Sequence, residues 1–367
     1  RYGTTIVTIE VSGVKGKSHQ NKILNKDAKI WNNADPVNVK REDLPKKHMM
    51  KIRFTEDEGH HRQLRTILNS YMRDRKVTHR AGATFFAKAA LIVFLLGMFY
   101  VVIMTASGTA QLVAGYVGYS TCMILYFLNV LHDAAHDTVF KRAAHNRWLF
   151  SSFYLFGTSP WLWKTRHVHS HHNYANIPGT DVDIRQFRGV RITPADRHEG
   201  FQKWQHWYMP ILYLLYTLYW LMVRDFRDFG NGTAAAVSRA ERKKQFVYML
   251  LAKFFYFGYI LLLPSLLFPG NALTVVVAFV VGHLVASALA AIALLSAHVG
   301  ENALFVMPDE HGRIPHSWFT HQVVTTTDFG RGRKWVSFVF GGFNLHLCHH
   351  LFPGINHTRY DMITPVI

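Results

Sequence analysis

Between Ala89 and Leu131 the chain carries no Asp, Glu, Lys or Arg over 43 residues, and the same holds for the 44 residues from Phe254 to Ala297. A single membrane crossing takes about 20 apolar residues, so each run predicts two crossings joined by a tight turn. Ser107-Gly108 and Pro269-Gly270-Asn271 supply turn residues near the middle of each run. Two buried helices of a soluble protein would show a polar face at this length, and these do not. The expected fold is an all-α integral membrane protein with four transmembrane helices in two hairpins, near residues 88–106, 110–131, 250–268 and 273–297.

Every Lys, Arg, Asp and Glu falls within 1–88, 132–253 or 298–367. With two hairpins, all three stretches share one side of the membrane. Their Lys/Arg excess makes that side cytoplasmic, so both termini and a helical cap are expected there. Two shorter apolar stretches read differently. Leu149–Trp163 is too short to span and is expected to be re-entrant or interfacial. Trp207–Val223, rich in Tyr and Trp, is expected on the membrane surface. Residues 1–80 form an N-terminal cytoplasmic segment and 81–367 the membrane domain. In the first, Val7, Ile9 and Val11 alternate with polar residues, a weak strand pattern. Leu64, Ile67, Leu68, Tyr71 and Met72 mark one face of a helix that packs on the cap or the membrane.

Composition narrows the class further. Lys and Arg number 41 against 23 acidic residues, a formal charge of +18. In a soluble protein that excess would suggest nucleic acid; the two charge-free runs exclude it and leave the positive-inside rule as the explanation. The two cysteines, Cys122 and Cys348, form no Cys-x-x-Cys pair, so neither a disulfide framework nor a rubredoxin-like site is expected. Residues Arg1 to Gln20 are polar and lack the apolar core of a signal peptide.

The chemistry lies among the 23 histidines. His132 and His136 sit where the second crossing emerges, four apart and on one helical face. His167 and His171 share a face by the same spacing, with His172 turned about 100° away towards a neighbouring metal. His346, His349 and His350 form a third cluster, and His298 ends the fourth crossing. All nine converge on one side of the membrane in a topology assigned without them. Imidazole suits zinc, copper, iron and nickel. Nine ligands exceed one ion, and four or five per ion leave open positions on two. His169 turns about 160° from His171 on a helix and is left out. His283 lies mid-crossing, about 22 Å from His298 along a helix, and is expected to be hydrogen-bonded within the bundle. His145, His198, His206, His311, His316 and His321 show no mutual ligand spacing and are expected at the surface or behind the ligands. Asp133, Asp181 and Asp183 are candidates for orienting ligand imidazoles.

The blocks HDAAHDTVF (132–140), RHVHSHHNYANIPGTDVDI (166–184) and GGFNLHLCHHLFPGINH (341–357) resemble the membrane fatty acid desaturases, whose boxes read HxxxH, HxxxHH and HxxHH. The resemblance is closest to the acyl-lipid and acyl-CoA branch and covers roughly residues 50–367. It implies a di-iron centre bound by His132, His136, His167, His171, His172, His298, His346, His349 and His350. Zinc is an expected substitute in overproduced protein, since imidazole accepts it. The implied reaction uses dioxygen and two electrons to remove hydrogens from adjacent methylenes, a step no side-chain acid or base can perform. The implied partners are a fatty acyl chain on a lipid, coenzyme A or acyl carrier protein, the bilayer, and an external electron donor of ferredoxin or cytochrome b5 type.

Two departures bear on the subtype. Front-end desaturases often carry Gln where this chain has His346, and often a fused haem domain marked by HPGG, which does not occur here. Both argue against a front-end enzyme. Hydroxylation or acetylenic bond formation on the same centre is the nearest alternative. A metal transporter would line its crossings with ionisable residues, whereas these crossings hold only His283.

Overall fold

A computed structural model describes residues 51–184, 189–193, 195–230 and 238–367. The alternating pattern at Val7, Ile9 and Val11 lies outside the described residues. The first elements are a strand β1 (Arg53–Thr55) and a helix α1 (His60–Asp74). The apolar stripe of α1 is buried only in part: Leu68 and Met72 pack against Leu345, Cys348 and Leu351 beside the third histidine box, whereas Ile67 is exposed. There follow α2 (Ala83–Met104), α3 (Thr109–Ala135), α4 (Ala143–Ser151), α5 (160–174) and α6, a helical run at 205–230 broken at Leu215. Next come α7 (Arg239–Leu267), α8 (Ala272–Leu295), a strand β2 (Arg313–Ser317), α9 (Trp318–Thr325) and α10 (His346–Leu351). β1 pairs in parallel with β2.

Four of these helices, α2, α3, α7 and α8, are long and apolar enough to cross a membrane. Their turns fall where expected, at 105–108 and 268–271. Asn271 caps α8 by accepting the Thr274 N–H at 2.9 Å. α7 starts earlier than the expected residue 250. Ser238 caps it, and Arg239, Arg242, Lys243 and Lys244 occupy its exposed first turns ahead of the apolar part. Pro264 removes a hydrogen bond to the carbonyl four residues earlier. The chain answers with a π turn at Gly258–Leu262, and the Tyr116 hydroxyl of α3 donates to the Ile260 carbonyl at 2.5 Å. Close approach of α3 and α8 depends on Gly282, where a Cβ would lie 2.6 Å from the Tyr116 carbonyl oxygen and 2.8 Å from Ser120 Oγ. Small residues at such crossings let backbones meet.

The sequence expectation for Trp207–Val223 is corrected. Instead of lying on the surface, α6 packs along α8, with Thr217 Oγ1 2.9 Å from His283 Nδ1 and 2.7 Å from Ser287 Oγ. Leu221 is buried in the same core as Phe127 of α3. Thr217, Trp220 and Tyr216 of α6 find hydrogen-bond partners within the protein. Its N-terminal part still turns Trp207 and Ile211 outward. Leu149–Trp163 folds as the end of α4, a 3-10 turn at Ser152–Phe156 and the start of α5; none of these is long enough to span.

Candidate metal centre

The first two histidine boxes are delivered by departures from regular α-helix. His132 and His136 close α3 directly after a π turn at Phe127–Leu131. His167–His171 is itself a π turn within α5. His298 lies just beyond α8, and His346, His349 and His350 lie on α10. Gly341, at φ +61°, precedes α10 and lies against the Leu128 carbonyl so closely that any Cβ would collide with it. Asn129 Nδ2 then donates to the Leu125 carbonyl at 2.8 Å and the Val339 carbonyl at 3.0 Å. The π turn of the first box and the loop before the third are thus fastened together.

All nine expected histidines meet, in two groups. One holds His132, His136, His167, His172 and His349, the other His171, His298, His346 and His350; within each group the candidate ligand atoms lie within 4.8 Å of one another. His132 with His136 and His346 with His350 share groups as their spacing predicts. The second box differs from expectation. A π turn stacks residues five apart, so His167 joins His172, their Nε2 atoms 3.1 Å apart, and His171 goes to the other group. His169 is exposed and in neither group. His283 is hydrogen-bonded inside the bundle, to Thr217 and Tyr256. His145, His198, His206 and His311 are exposed.

The donor set fits cations. His171 Nδ1 donates to Asp181 Oδ2 at 2.9 Å and His298 Nδ1 to the Thr325 carbonyl at 3.3 Å. With Nδ1 carrying the proton, each Nε2 presents a lone pair, yet these two Nε2 atoms lie 3.1 Å apart. Without a cation the pair is relieved only by a second proton on His171. Burial opposes that proton, but the Asp181 charge and hydrogen bond outweigh burial and raise the His171 pKa. In the other group His167 Nδ1 bonds Asp183 Oδ2 at 3.0 Å. Its Nε2 lies 3.3 Å from that of His132, and His172 Nε2 lies 3.0 Å from that of His349. His136 Nε2 and His350 Nε2 are buried with no hydrogen-bond partner. Burial drives His167, His172, His346, His349 and His350 strongly towards the neutral form that metals require.

Residues 105–367, most of the chain, match the family model described as fatty acid desaturase. The protein belongs to the fatty acid desaturase family. The chain is 28% identical over 321 residues to a Synechocystis sp. protein named sn-1 linoleoyl-lipid 6-desaturase, covering 86% of this chain and 89% of that one. It is 27% identical over 329 residues to Delta(5) fatty acid desaturase A of Dictyostelium discoideum, covering 86% and 69%. It is also 28% identical over 243 residues to an acyl-lipid (8-3)-desaturase of Physcomitrium patens, covering 65% of this chain and half of that protein.

In this family member the grouped histidines are held by a second layer that spacing only partly announces. Asp181 and Asp183 do orient imidazoles. Asp133 instead turns to His357 Nδ1 and Asn356 Nδ2, each at 2.6 Å. Burial opposes ionisation of Asp183, but the Arg166 and Arg224 guanidiniums at 2.8 and 2.9 Å hold its pKa below the ordinary value. Gln322 accepts from His350 Nδ1 at 2.8 Å, Tyr360 pairs with His349 Nδ1 at 3.0 Å, and Asn176 donates to the His298 carbonyl at 2.8 Å. Gln322, Tyr360 and Asn176 carried no signal, because contacts spaced 28, 11 and 122 residues apart follow no helical or strand period. His321, expected at the surface or behind the ligands, is buried and bonded to the Ala175 carbonyl at 2.8 Å. Beside His167, His171, His298 and His346 opens a partly open pocket, walled by aromatic rings such as Trp163, Trp220 and Phe343 and bordered by Arg166, Asp183 and Arg224.

Proposed function

We infer that the protein inserts a double bond into a membrane-borne fatty acyl chain, with dioxygen and two electrons, at two irons held by the nine histidines. The observation that carries this reading is the pair of all-histidine groups opening on an aromatic-walled cavity. Bound iron would supply the oxidising power that an unactivated C–H bond demands. The protein's own part is to hold nine neutral imidazoles in place through Asp181, Asp183, Gln322 and Tyr360. The rings of Trp163, Trp220 and Phe343 exclude water and line up the methylenes. Arg166, Asp183 and Arg224 give the cavity a polar border suited to the head of the substrate. The spans are read as two hairpins with the metal-bearing cap and both termini on the cytoplasmic side. Electrons come from a separate ferredoxin- or cytochrome b5-like donor.

A front-end bond position is a second reading, favoured by relatives whose names carry 6- and Delta(5). His346 sits in the four-histidine group, where Gln would also offer one donor atom. Its identity therefore weighs less against that position than the sequence pattern suggests. Production in a host of known lipid composition, followed by mass spectrometry with double-bond location, tests all of this. New acyl species lacking two hydrogens support desaturation. Species gaining one oxygen, or triple bonds, would replace it with the hydroxylase or acetylenase alternative.

A further inference from the structure

Trp163 of α5 lies against the grouped histidines. Its ring is stacked on His167 with centroids 4.4 Å apart and meets His132 at 5.9 Å. It also meets Phe127 of α3 at 5.5 Å, and Phe127 meets Trp220 of α6 at 5.8 Å. Three rings in contact thus join the histidines to a half-buried indole. Trp220 Nε1 donates to Asp225 Oδ1 at 3.1 Å, while Asp225 Oδ2 takes the Lys253 ammonium at 2.9 Å. Burial raises the pKa of Asp225 even against that lysine. The Arg166 and Arg224 guanidiniums lie 4.6 and 5.6 Å from the Trp220 ring centre. Their attraction to the ring depends on its electrons. A positive charge on Trp220 is therefore opposed unless its N–H proton leaves, and Asp225 is placed to take that proton.

We propose that Trp163, Phe127 and Trp220 form an outlet for oxidising equivalents, which spares the histidines when dioxygen has been used and no methylene is in reach. This rests on the desaturase reading, and it is one way a site excludes competing reactions. Trp163 yields one electron to the oxidised irons and is refilled by Trp220, with Phe127 as the bridging ring only. Trp220 loses its N–H proton to Asp225 and is left as a neutral radical. A small thiol entering by the partly open pocket, which Trp220 lines, restores it. The thiolate gives the electron, Asp225 returns the proton, and two thiyl radicals close to a disulfide. The two guanidiniums keep the outlet slow, so a methylene in place reacts first. Electrons arriving from the donor would need no such proton acceptor, because an indole is not reduced on their way in.

The test gives iron-loaded protein its redox partners and dioxygen, with neither acyl substrate nor thiol. Samples frozen during turnover are read by electron paramagnetic resonance and then mapped by peptide mass spectrometry. The expected result is a radical whose spectrum narrows with ring-deuterated tryptophan, and added oxygen on Trp163 and Trp220 but not on the exposed Trp148 and Trp207. Thiol or acyl substrate should suppress both. Trp220→Phe should raise oxidation of Trp163 and the grouped histidines severalfold and speed the loss of iron by a similar factor. Asp225→Asn should do the same with the Trp220 ring in place; should it fail to fold, Trp220→Phe decides. Iron loss at the wild-type rate in Trp220→Phe overturns the proposal, as does oxidation spread evenly to Trp148 and Trp207 and abolished by catalase. A wild type that desaturates acyl chains yet shows no tryptophan radical sinks the outlet alone. One that forms no double bond in any chain sinks the desaturase reading and the outlet with it.

Discussion

Single side chains in the metal centre carry measurable consequences. Asp181 fixes the tautomer and orientation of His171 from 2.9 Å. Asp181→Asn should lower metal affinity by about 10–100-fold without unfolding the protein, read as metal retained against a graded chelator. Acid should act on the imidazoles themselves. In the metal-free protein burial, with Lys164 adding to it, lowers His136 to about 3, and burial with His171 does the same for His298. Unfolded histidine titrates near about 6.5, so below that pH the unfolded chain takes up protons that the folded site refuses. Stability from these two groups is complete above about 6.5 and is lost as pH falls towards 3. Metal content and the unfolding temperature should fall together across that window. Legibility at this scale was uneven. All nine clustered histidines were recoverable from spacing and topology, because ligands must repeat along a helix. Gln322 and Tyr360 were not, because an oriented hydrogen bond leaves no period in the sequence.

At the scale of elements, the π turns decide which histidines share a group. An α-helical second box pairs His167 with His171; the π turn pairs His167 with His172. The double variant His167→Ala/His171→Ala should therefore lose both metals, whereas His167→Ala/His172→Ala should lose one and keep the other. Metal counting by mass spectrometry distinguishes these, with the exposed His169→Ala as the unaffected control. Equal metal loss in the two doubles would return the box to an ordinary helix. The α3–α8 crossing gives a prediction about packing. Gly282→Ala forces a methyl to within 2.6 Å of a backbone oxygen. The two helices must part, at a cost of about 1–3 kcal/mol, seen as a lower unfolding midpoint in detergent. The four long helices were legible because absence of charge is a one-dimensional signal. α6 was not. Tyr and Trp suit a membrane interface and a helix packed inside equally well, and only the bonds of Thr217 to α8 tell them apart.

At the scale of the whole molecule, four helices are long and apolar enough to cross a membrane, and the two charge-free turns test how they would be arranged. Reporters fused at Ser107 and at Asn271 should both read as external, and reporters at either end of the chain as cytoplasmic. A cytoplasmic signal at either turn would overturn the two-hairpin reading and scatter the histidines across the membrane.

One buried cation bears on how such a molecule is made. Lys253, within α7, gives its ammonium to the Gly157 carbonyl at 3.0 Å, the Leu221 carbonyl at 2.6 Å and Asp225 at 2.9 Å. A lysine costs about 3 kcal/mol at mid-bilayer, less near the interface, and here every partner lies upstream in the chain. Synthesis from the N-terminus therefore completes the receptor for the charge before the helix that carries it leaves the ribosome. If α7 crosses the membrane, as its length and apolarity allow, folded protein can accept it as well as lipid, and its insertion would be a step of folding.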